Sequence, residues 1–155
     1  MRLQLDNQVA LVTGATRGIG AAIASVLAEA GATVIGTATS EAGAQRITEA
    51  LSTTMGGGRG AVLDVRDADK VKQLADEIRD NEGAPTILVN NAGITRDGLA
   101  MRMSDEDWDS VIDTNLNSVF RVTRAVLRGM MKARHGRIIN IGSVVGLMGN
   151  AGQIN

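Results

Sequence analysis

The chain has 155 residues, enough for one domain with a hydrophobic core, and 17 acidic against 16 basic residues give it a net charge of −1. This mixed charge excludes a general binder of nucleic acid or anionic membranes, and the absence of cysteine excludes disulfides and thiolate chemistry. The N-terminus has no apolar signal segment and no segment reaches transmembrane length, so we expect a cytoplasmic protein without a membrane or nucleic-acid partner. We also predict no metal site.

Five short, mostly apolar segments alternate with segments of helical spacing. The predicted strands cover residues 9–12, 33–35, 61–65, 86–89 and 137–141. Ser40, Asp67 and Ser104 are of residue types that commonly cap helix N-termini, and each precedes apolar residues at helical spacing. Strands that alternate with helices indicate a parallel sheet covered on both faces, so the predicted fold class is α/β, a Rossmann-like doubly wound parallel sheet.

Two connecting segments complete this prediction. Residues 53–60, TTMGGGRG, are interpreted as a surface loop before the third strand. Ser104 begins a long helical stretch that contains Asn115, a residue type of poor helix propensity, which favours a functional or helix-bending role for that side chain. The apolar residues of this stretch are Trp108, Val111, Ile112, Leu116 and Val119.

A glycine-rich segment, TGATRGIG at residues 13–20, follows the first predicted strand and opens the first helix. Gly14 permits a tight turn, Gly18 lets the backbone approach a pyrophosphate, and Gly20 lets helix and strand pack closely. Free N–H groups at the helix start would face the phosphates. This context predicts a dinucleotide-binding loop, the alternative being an ordinary glycine turn.

The end of the second strand indicates which dinucleotide binds. A carboxylate there would hydrogen-bond the ribose 2′-OH of NAD, whereas this chain has the hydroxyls of Thr37, Thr39 and Ser40. Arg17 in the glycine loop supplies a cation for a 2′-phosphate, so we predict NADP(H) as the cofactor. Two alternatives stay open: Arg17 as a solvated loop charge, and a one-residue shift that brings the carboxylate of Glu41 to the ribose.

The spacing G-x-x-x-G-x-G of this loop resembles that of the short-chain dehydrogenase/reductase family. Four further segments agree with the family in order: Asp64-Val65, Asn90-Asn91-Ala92-Gly93, Asn115 and Ser143. The resemblance implies strand order 3-2-1-4-5 with further strands beyond it. Residues 1–155 would then be a single NADP-binding domain, the N-terminal part of a longer reductase domain, and the fifth strand would be an exposed apolar edge of this chain.

The resemblance also implies which residues contact the cofactor. Asp64 would accept a hydrogen bond from the adenine amino group and the N–H of Val65 would donate to the ring, the alternative for Asp64 being a turn cap. The Asn90 side chain is interpreted as structural, tying neighbouring strands together. The implied set is Gly14, Ala15, Thr16, Arg17, Gly18, Ile19, Gly20, Thr39, Ser40, Asp64, Val65, Asn91, Ala92 and Gly93.

For catalysis, the resemblance implies a carbonyl reduction in which Ser143 binds the substrate oxygen and Asn115 positions a water. The alternatives are a turn hydroxyl and a helix-bending residue. The family's Tyr would fall immediately after Asn155 and its Lys one helical turn later, and the chain contains no Tyr. We therefore expect the 155-residue chain alone to be inactive. His135 is interpreted as a surface residue because it precedes the fifth strand.

Four segments resemble one branch of that family, the bacterial 3-oxoacyl-acyl-carrier-protein reductases of fatty acid biosynthesis. They are VIGTATSEAGA, LVNNAGITRDGLAMRM, VIDTNLNSVFRVTRAV and RHGRIINIGSVVGLMGNAGQ. This resemblance implies NADPH-dependent reduction of a 3-oxoacyl thioester on an acyl carrier protein by a homo-oligomer, a tetramer in the family. Two alternatives stay open: a truncated nucleotide-binding remnant without activity, and a related short-chain reductase of CoA thioesters or other ketones.

Two surface features would serve such a reaction. A basic cluster around the end of the long helix would attract an acidic carrier, the alternative being a solvated helix C-terminus. The cluster consists of Arg128, Lys132, Arg134, His135 and Arg137. Residues 93–103, GITRDGLAMRM, are interpreted as a mobile cover beside the site.

Overall fold

Five parallel strands form one sheet in the computed structural model, which describes residues 4–155. The strands are β1 (Val9–Val12), β2 (Thr33–Ala38), β3 (Gly58–Val62), β4 (Ile87–Asn90) and β5 (Arg137–Asn140). Their order is β3-β2-β1-β4-β5, and every neighbouring pair is parallel. The predicted Rossmann-like α/β fold and its strand order are confirmed.

Helices connect the strands and cover both faces of the sheet. They are α1 (Gly18–Glu29), α2 (Glu41–Leu51), α3 (Ala68–Asn81), α4 (Asp105–Ile112), α5 (Ser118–Ala133) and the short α6 (Val145–Met148). The three predicted N-terminal caps are confirmed, because a side-chain oxygen of each accepts from a backbone N–H three residues on: Ser40, Asp67 and Ser104.

The core has two halves, one on each face of the sheet. Successive side chains of a strand point to opposite faces. Leu11 and Leu88 therefore lie in the cluster with α3 and α5, whereas Val12 and Val89 lie in the cluster with α1 and α2. All four are at most 2% exposed. Central strands buried on both faces explain the continuous apolar runs in the sequence.

β3 lies earlier in the chain than predicted. It begins at Gly58, inside the predicted surface loop, so that prediction is wrong over residues 58–60. Gly58 has a φ of +145°, and a Cβ there would collide with the carbonyl of Val34 on β2. A Cβ on Gly60 would collide with the backbone of Ala44 in α2. Glycine therefore allows a close approach between β3 and its neighbours that local hydrophobicity does not reveal.

The predicted long helix is interrupted. α4 ends at Ile112, and a π turn over Asp113–Asn117 joins it to α5. A π turn contains one residue more than an α turn, so it changes the face that the following residues present. Val111 is 3% exposed and Ile112 is half-buried, whereas Leu116, four residues after Ile112, is 62% exposed.

β5 forms one edge of the sheet in the described part of the chain, as predicted. All four of its residues are exposed, and Ile138 and Ile139 are 38% and 45% exposed. An exposed apolar strand edge is a surface on which further chain or another molecule can pair.

Candidate functional site

The carboxyl ends of the strands surround a cleft of about 580 Å³. This is the edge at which parallel α/β sheets bind ligands. The predicted site residues that line it are Gly14, Thr16, Arg17, Gly18, Ile19, Gly20, Thr39, Asp64, Val65, Asn91, Ala92 and Gly93. Four other predicted residues are not on its wall: Ala15, Ser40, Asn115 and Ser143.

The structure explains the glycines at three positions of the loop that begins this cleft. Gly14 and Gly18 have φ values of +67° and +58°, which side chains rarely adopt. On the side where a Cβ of Gly18 would lie there is open space, so a ligand can approach that backbone. A Cβ on Gly20 would collide with the carbonyl of Gly14 and the side-chain amide of Asn91. The predicted geometry of the loop agrees with this structure.

The hydroxyl of Thr13, which is 2% exposed, connects β1 to the turn after β4. Its Oγ1 accepts from the backbone N–H groups of Asn91 at 2.9 Å and Ala92 at 3.0 Å. The Asn91 side chain donates in return to the carbonyls of Thr13 and Gly14, both at 3.0 Å. Thr13 is not among the predicted site residues, although a hydroxyl at the end of an apolar strand is a signal for such a role.

Thr37 supports the glycine loop from the other side. It is 1% exposed, its Oγ1 accepts from the N–H of Gly14 at 3.2 Å, and its carbonyl accepts from the N–H of Ala15 at 2.9 Å. The loop backbone therefore already uses this hydroxyl as an acceptor. β2 is longer than predicted and reaches Ala38, which buries Thr37 inside the sheet.

The residues that follow β2 take different positions. Thr39 lines the cleft, whereas the Ser40 hydroxyl accepts from the N–H of Gly43 at 3.2 Å and caps α2. Glu41 begins α2 and is not on the cleft wall. The end of β2 therefore brings no carboxylate to the cleft.

The cleft is positively charged. Arg17, Arg66 and Arg96 line it, and Asp64 is the one carboxylate among its lining residues. Within residues 4–155, Arg17 forms no ion pair. The charge balance favours an anionic ligand.

Asp64 is paired with Arg66, which is not among the predicted site residues. The backbone N–H and Nε of Arg66 each donate to Oδ1 at 3.0 Å, and Nη2 donates to Oδ2 at 2.7 Å. These hydrogen bonds hold the pKa of Asp64 below its ordinary value, so the carboxylate is ionised at neutral pH. The pair also fixes the side chain as a turn cap, the alternative stated for it from sequence.

Asn115 lies in the π turn between α4 and α5. Its Oδ1 accepts from the N–H of Ile94 at 2.9 Å, and its Nδ2 donates to the carbonyl of Ile94 at 2.9 Å. Ile94 lines the cleft, so Asn115 holds a residue of the cleft wall without lining the cleft itself. π turns occur often at functional sites.

Ser143 follows β5 on the same edge of the sheet as the cleft. The β4–β5 register pairs Asn90 with Asn140, and the Asn90 side chain donates to Asn140 Oδ1 at 2.8 Å, as its predicted structural role requires. The Ser143 Oγ is exposed and accepts from the N–H of Val145 at 3.1 Å. As the acceptor in that bond, the hydroxyl keeps its proton available for donation.

The segment predicted as a mobile cover is bonded to the residues after β5. The N–H of Gly98 donates to the carbonyl of Gly152 at 2.8 Å, and the Gln153 amide donates to Asp97 Oδ1 at 2.9 Å. The loops that follow β4 and β5 therefore contact each other directly.

His135 is exposed, as predicted, and lies at the amino end of β5, opposite the cleft. Its Nε2 is 3.1 Å from Oε1 of Gln8. Two members of the basic cluster, Arg128 and Lys132, line a separate groove between α3 and α5.

No helix among residues 4–155 is both long and apolar enough to cross a membrane. In the same described residues, no three His, Cys, Asp or Glu side chains gather where they could hold a metal ion.

Comparison with known proteins identifies the family. The profile described as short chain dehydrogenase matches residues 8–155. The chain belongs to the short-chain dehydrogenase family. Within this family it is similar to a crystal structure from Sinorhizobium meliloti 1021 described as that of a short-chain alcohol dehydrogenase. The TM-score is 0.93 and the identity 33%, over 99% of this chain and 61% of that one.

Its curated relatives in the family include 3-oxoacyl-[acyl-carrier-protein] reductases named FabG. Those of Vibrio harveyi and Escherichia coli K12 are each 58% identical over 153 residues, which is 99% of this chain and 62% of each relative. That of Haemophilus influenzae is 56% identical over 152 residues, 97% of this chain and 61% of the relative. The chain thus spans about three-fifths of the length of these relatives.

Proposed function

We propose that this chain is the cofactor-binding part of an NADPH-dependent 3-oxoacyl-acyl-carrier-protein reductase of fatty acid biosynthesis. The observation that carries the cofactor assignment is the cleft itself. Open space above Gly18 meets the start of α1, Arg17 projects a cation beside it, and no carboxylate from the end of β2 enters. An NAD site would need an acceptor for the ribose 2′-OH at that end.

Each part of the cleft has a proposed role. The backbone N–H groups at the start of α1 bind the pyrophosphate, and Arg17 and Thr39 bind the 2′-phosphate. Asp64, held ionised by Arg66, accepts from the adenine amino group. Its oxygens already accept from three N–H groups of Arg66, and Nε–H is shared between Oδ1 at 3.0 Å and Oδ2 at 3.2 Å. The adenine amino group would replace the longer of these two shared contacts.

The remaining proposed contacts lie towards the nicotinamide end. The small residues Ala92 and Gly93 leave room for a ribose against the backbone. When bound, reduced nicotinamide would supply a hydride. The Ser143 hydroxyl would donate to the carbonyl oxygen of the substrate, where negative charge develops. Asn115 would position a water with the one N–H and one lone pair that its bonds to Ile94 leave free.

The assembly and the partner are part of the same proposal. An apolar stripe on α5 and the preceding π turn supports a homo-oligomer, with tetramer as the proposed state: Leu116, Phe120, Leu127 and Met131 are 62%, 63%, 39% and 69% exposed. Arg134 and Arg137, at the amino end of β5, support docking of an acidic acyl carrier protein. We propose residues 1–155 as one NADP-binding domain of a cytoplasmic enzyme.

Titration of NADPH and NADH into the chain, followed by calorimetry, tests the cofactor assignment. We expect NADPH to bind at least about tenfold more tightly, and Arg17→Gln to remove roughly tenfold of NADPH affinity while leaving NADH nearly unchanged. Arg46→Gln, at an exposed cation of α2 that does not line the cleft, is the matched control. Equal affinity for both dinucleotides, or binding of neither, would refute the assignment.

The reaction is tested by extending the chain with the remaining residues of Escherichia coli FabG and measuring NADPH oxidation. We expect turnover of a 3-oxoacyl thioester on the carrier protein to exceed turnover on CoA, and Ser143→Ala to lower kcat roughly a hundredfold. A preference for CoA would indicate a related reductase. Cofactor binding without turnover in the extended protein would indicate a nucleotide-binding protein without this activity.

A further inference from the structure

The π turn over Asp113–Asn117 forms part of the wall of the cleft. Thr114 lines the cleft, and Asn115 holds Ile94, which also lines it, through two hydrogen bonds of 2.9 Å. π turns are rare in proteins, so this conformation needs interactions that a continuous α-helix cannot make. The position of this part of the wall therefore depends on what stabilises the π turn.

Two side-chain hydrogen bonds at the turn do not explain its conformation. The Ser118 hydroxyl donates to the carbonyl of Thr114, and the Asn117 amide donates to Oδ1 of Asp113 at 3.1 Å. Both bonds join residues four apart. In an ordinary α-helix, side chains four apart also meet, and a serine hydroxyl also bonds the carbonyl four residues back. Neither bond therefore favours the π turn over a continuous α-helix.

The ion pair between Asp113 and Arg121 does distinguish the two conformations. Nη2 of Arg121 donates to Oδ1 of Asp113 at 2.6 Å, across eight residues that include the whole π turn. In a continuous α-helix, residues eight apart point about 80° away from each other around the axis. The extra residue of the π turn gives the pair the relation of i and i+7, which differ by only about 20°. The two side chains thus share one face because the π turn is present.

This pair contributes more to the local conformation than to overall stability. Both side chains are half-buried, and solvent weakens an ion pair that it reaches. Nη1 of Arg121 is buried and has no acceptor within residues 4–155, which offsets part of the gain from Nη2. The main effect of the pair is therefore on the equilibrium between the π turn and a continuous helix.

A change to a continuous helix would move Asn115 relative to α5. Val122 and Val126 of α5 are buried in the core cluster that includes α3, which fixes the orientation of α5. Residues of the turn would rotate around the helix axis by up to about 100° relative to α5. That rotation turns the Asn115 amide away from Ile94, so the loop after β4 loses both of these hydrogen bonds.

We propose that the Asp113–Arg121 ion pair favours the π turn and thereby holds Asn115 and the loop after β4 in the geometry that the reaction uses. Asp113 and Arg121 are positioning residues, since neither lines the cleft. The structural part of this inference stands on the contacts of the ion pair and of Asn115, and its catalytic part rests on the proposed reductase function.

Hydrogen exchange in the 155-residue chain tests the structural part. Arg121→Met removes the cation and keeps a long side chain, whereas Arg121→Lys keeps the cation. Exchange at the Ile94 amide should become at least about fivefold faster in the Met variant and change less than about twofold in the Lys variant. The amide of Leu88, in the centre of the sheet, reports global unfolding in each variant.

Arg124→Met is the matched control, at an exposed cation of α5 that forms no ion pair within residues 4–155. It should leave exchange at the Ile94 amide nearly unchanged. Unchanged exchange at Ile94 in Arg121→Met, or acceleration there equal to that at Leu88, would overturn the proposal. The same acceleration in Arg124→Met as in Arg121→Met would also overturn it.

Turnover of the protein extended with the remaining residues of Escherichia coli FabG tests the catalytic part. Arg121→Met should lower kcat at least about tenfold, because Asn115 no longer positions its water, whereas KM for NADPH should change less than about threefold. Arg121→Lys should retain at least about half of kcat. An unchanged kcat in the Met variant would overturn the catalytic role. Absence of turnover in the unsubstituted extended protein would instead refute the proposed function, and exchange at Ile94 would still decide whether the ion pair holds the loop.

Discussion

Asn115 and the backbone of Ile94 form a reciprocal pair of hydrogen bonds, with Oδ1 accepting from the N–H and Nδ2 donating to the carbonyl, both at 2.9 Å. One side chain thus satisfies both polar groups of a residue in the loop after β4. The π turn that carries Asn115 and the loop that borders the cleft are therefore joined at one position.

Replacing this amide tests the connection. Asn115→Ala should lower the free energy of unfolding by ~1 kcal/mol, because two exposed hydrogen bonds are lost. Hydrogen exchange at the Ile94 amide should become faster. Asn117→Ala is the control, since that side chain donates only to Asp113 in the same turn. Unchanged exchange at Ile94 in Asn115→Ala would show that the pair does not hold the loop.

Thr13→Val removes a buried hydroxyl while keeping the shape of the side chain. Two N–H groups, of Asn91 and Ala92, would lose their acceptor, so we expect a loss of roughly 2 kcal/mol in the free energy of unfolding. Thr13→Ser should retain most of the stability. Thr53→Val, at an exposed hydroxyl, is the matched control for urea unfolding. A similar loss in both Val variants would refute the role of Thr13.

Gly20→Ala introduces a methyl group where the Gly14 carbonyl and the Asn91 amide already lie. Relief of that overlap requires the loop to move, so we expect a loss of ~2 kcal/mol in the free energy of unfolding and weaker dinucleotide binding. Gly146→Ala is the control, because no atom lies within 4 Å of a Cβ there. An unchanged free energy of unfolding together with unchanged dinucleotide affinity in Gly20→Ala would contradict this prediction.

The ion pair of Asp113 with Arg121 should make the free energy of unfolding depend on pH. A hydrogen bond from Arg121 holds the pKa of Asp113 below its unfolded value of 3.8. The stabilisation is therefore present above about pH 3.8 and is lost as the pH falls through the folded-state pKa. Asp113→Asn should reduce the free energy of unfolding by ~0.5 kcal/mol at neutral pH, because solvent screens this partly exposed pair.

The loss of unfolding free energy caused by Asp113→Asn should become smaller in acid, because the wild-type carboxylate becomes protonated there. Urea unfolding at a series of pH values measures this convergence. Asp109→Asn, at an exposed carboxylate of α4, controls for the change of net charge. A difference that stays constant from neutral pH to acid would contradict the prediction.

The strand order followed from the resemblance to a known family. The sequence by itself determined the alternation of parallel strands with helices and the conformation of the glycine loop. Both depend on local patterns: apolar runs that alternate with helical spacing, and glycines at positions where a turn needs positive φ. The caps Ser40, Asp67 and Ser104 were also predictable, because a cap bonds a backbone N–H three residues away.

Only the tertiary structure decided how the polar side chains around the cleft are used. Thr37 and Thr13 hold the glycine loop and the turn after β4 because β2, β1 and β4 lie side by side, and such contacts join residues far apart in sequence. The start of β3 at Gly58 likewise depends on how closely β2 approaches. Residue types predict which groups can bond, but the packing of the strands selects which of them do.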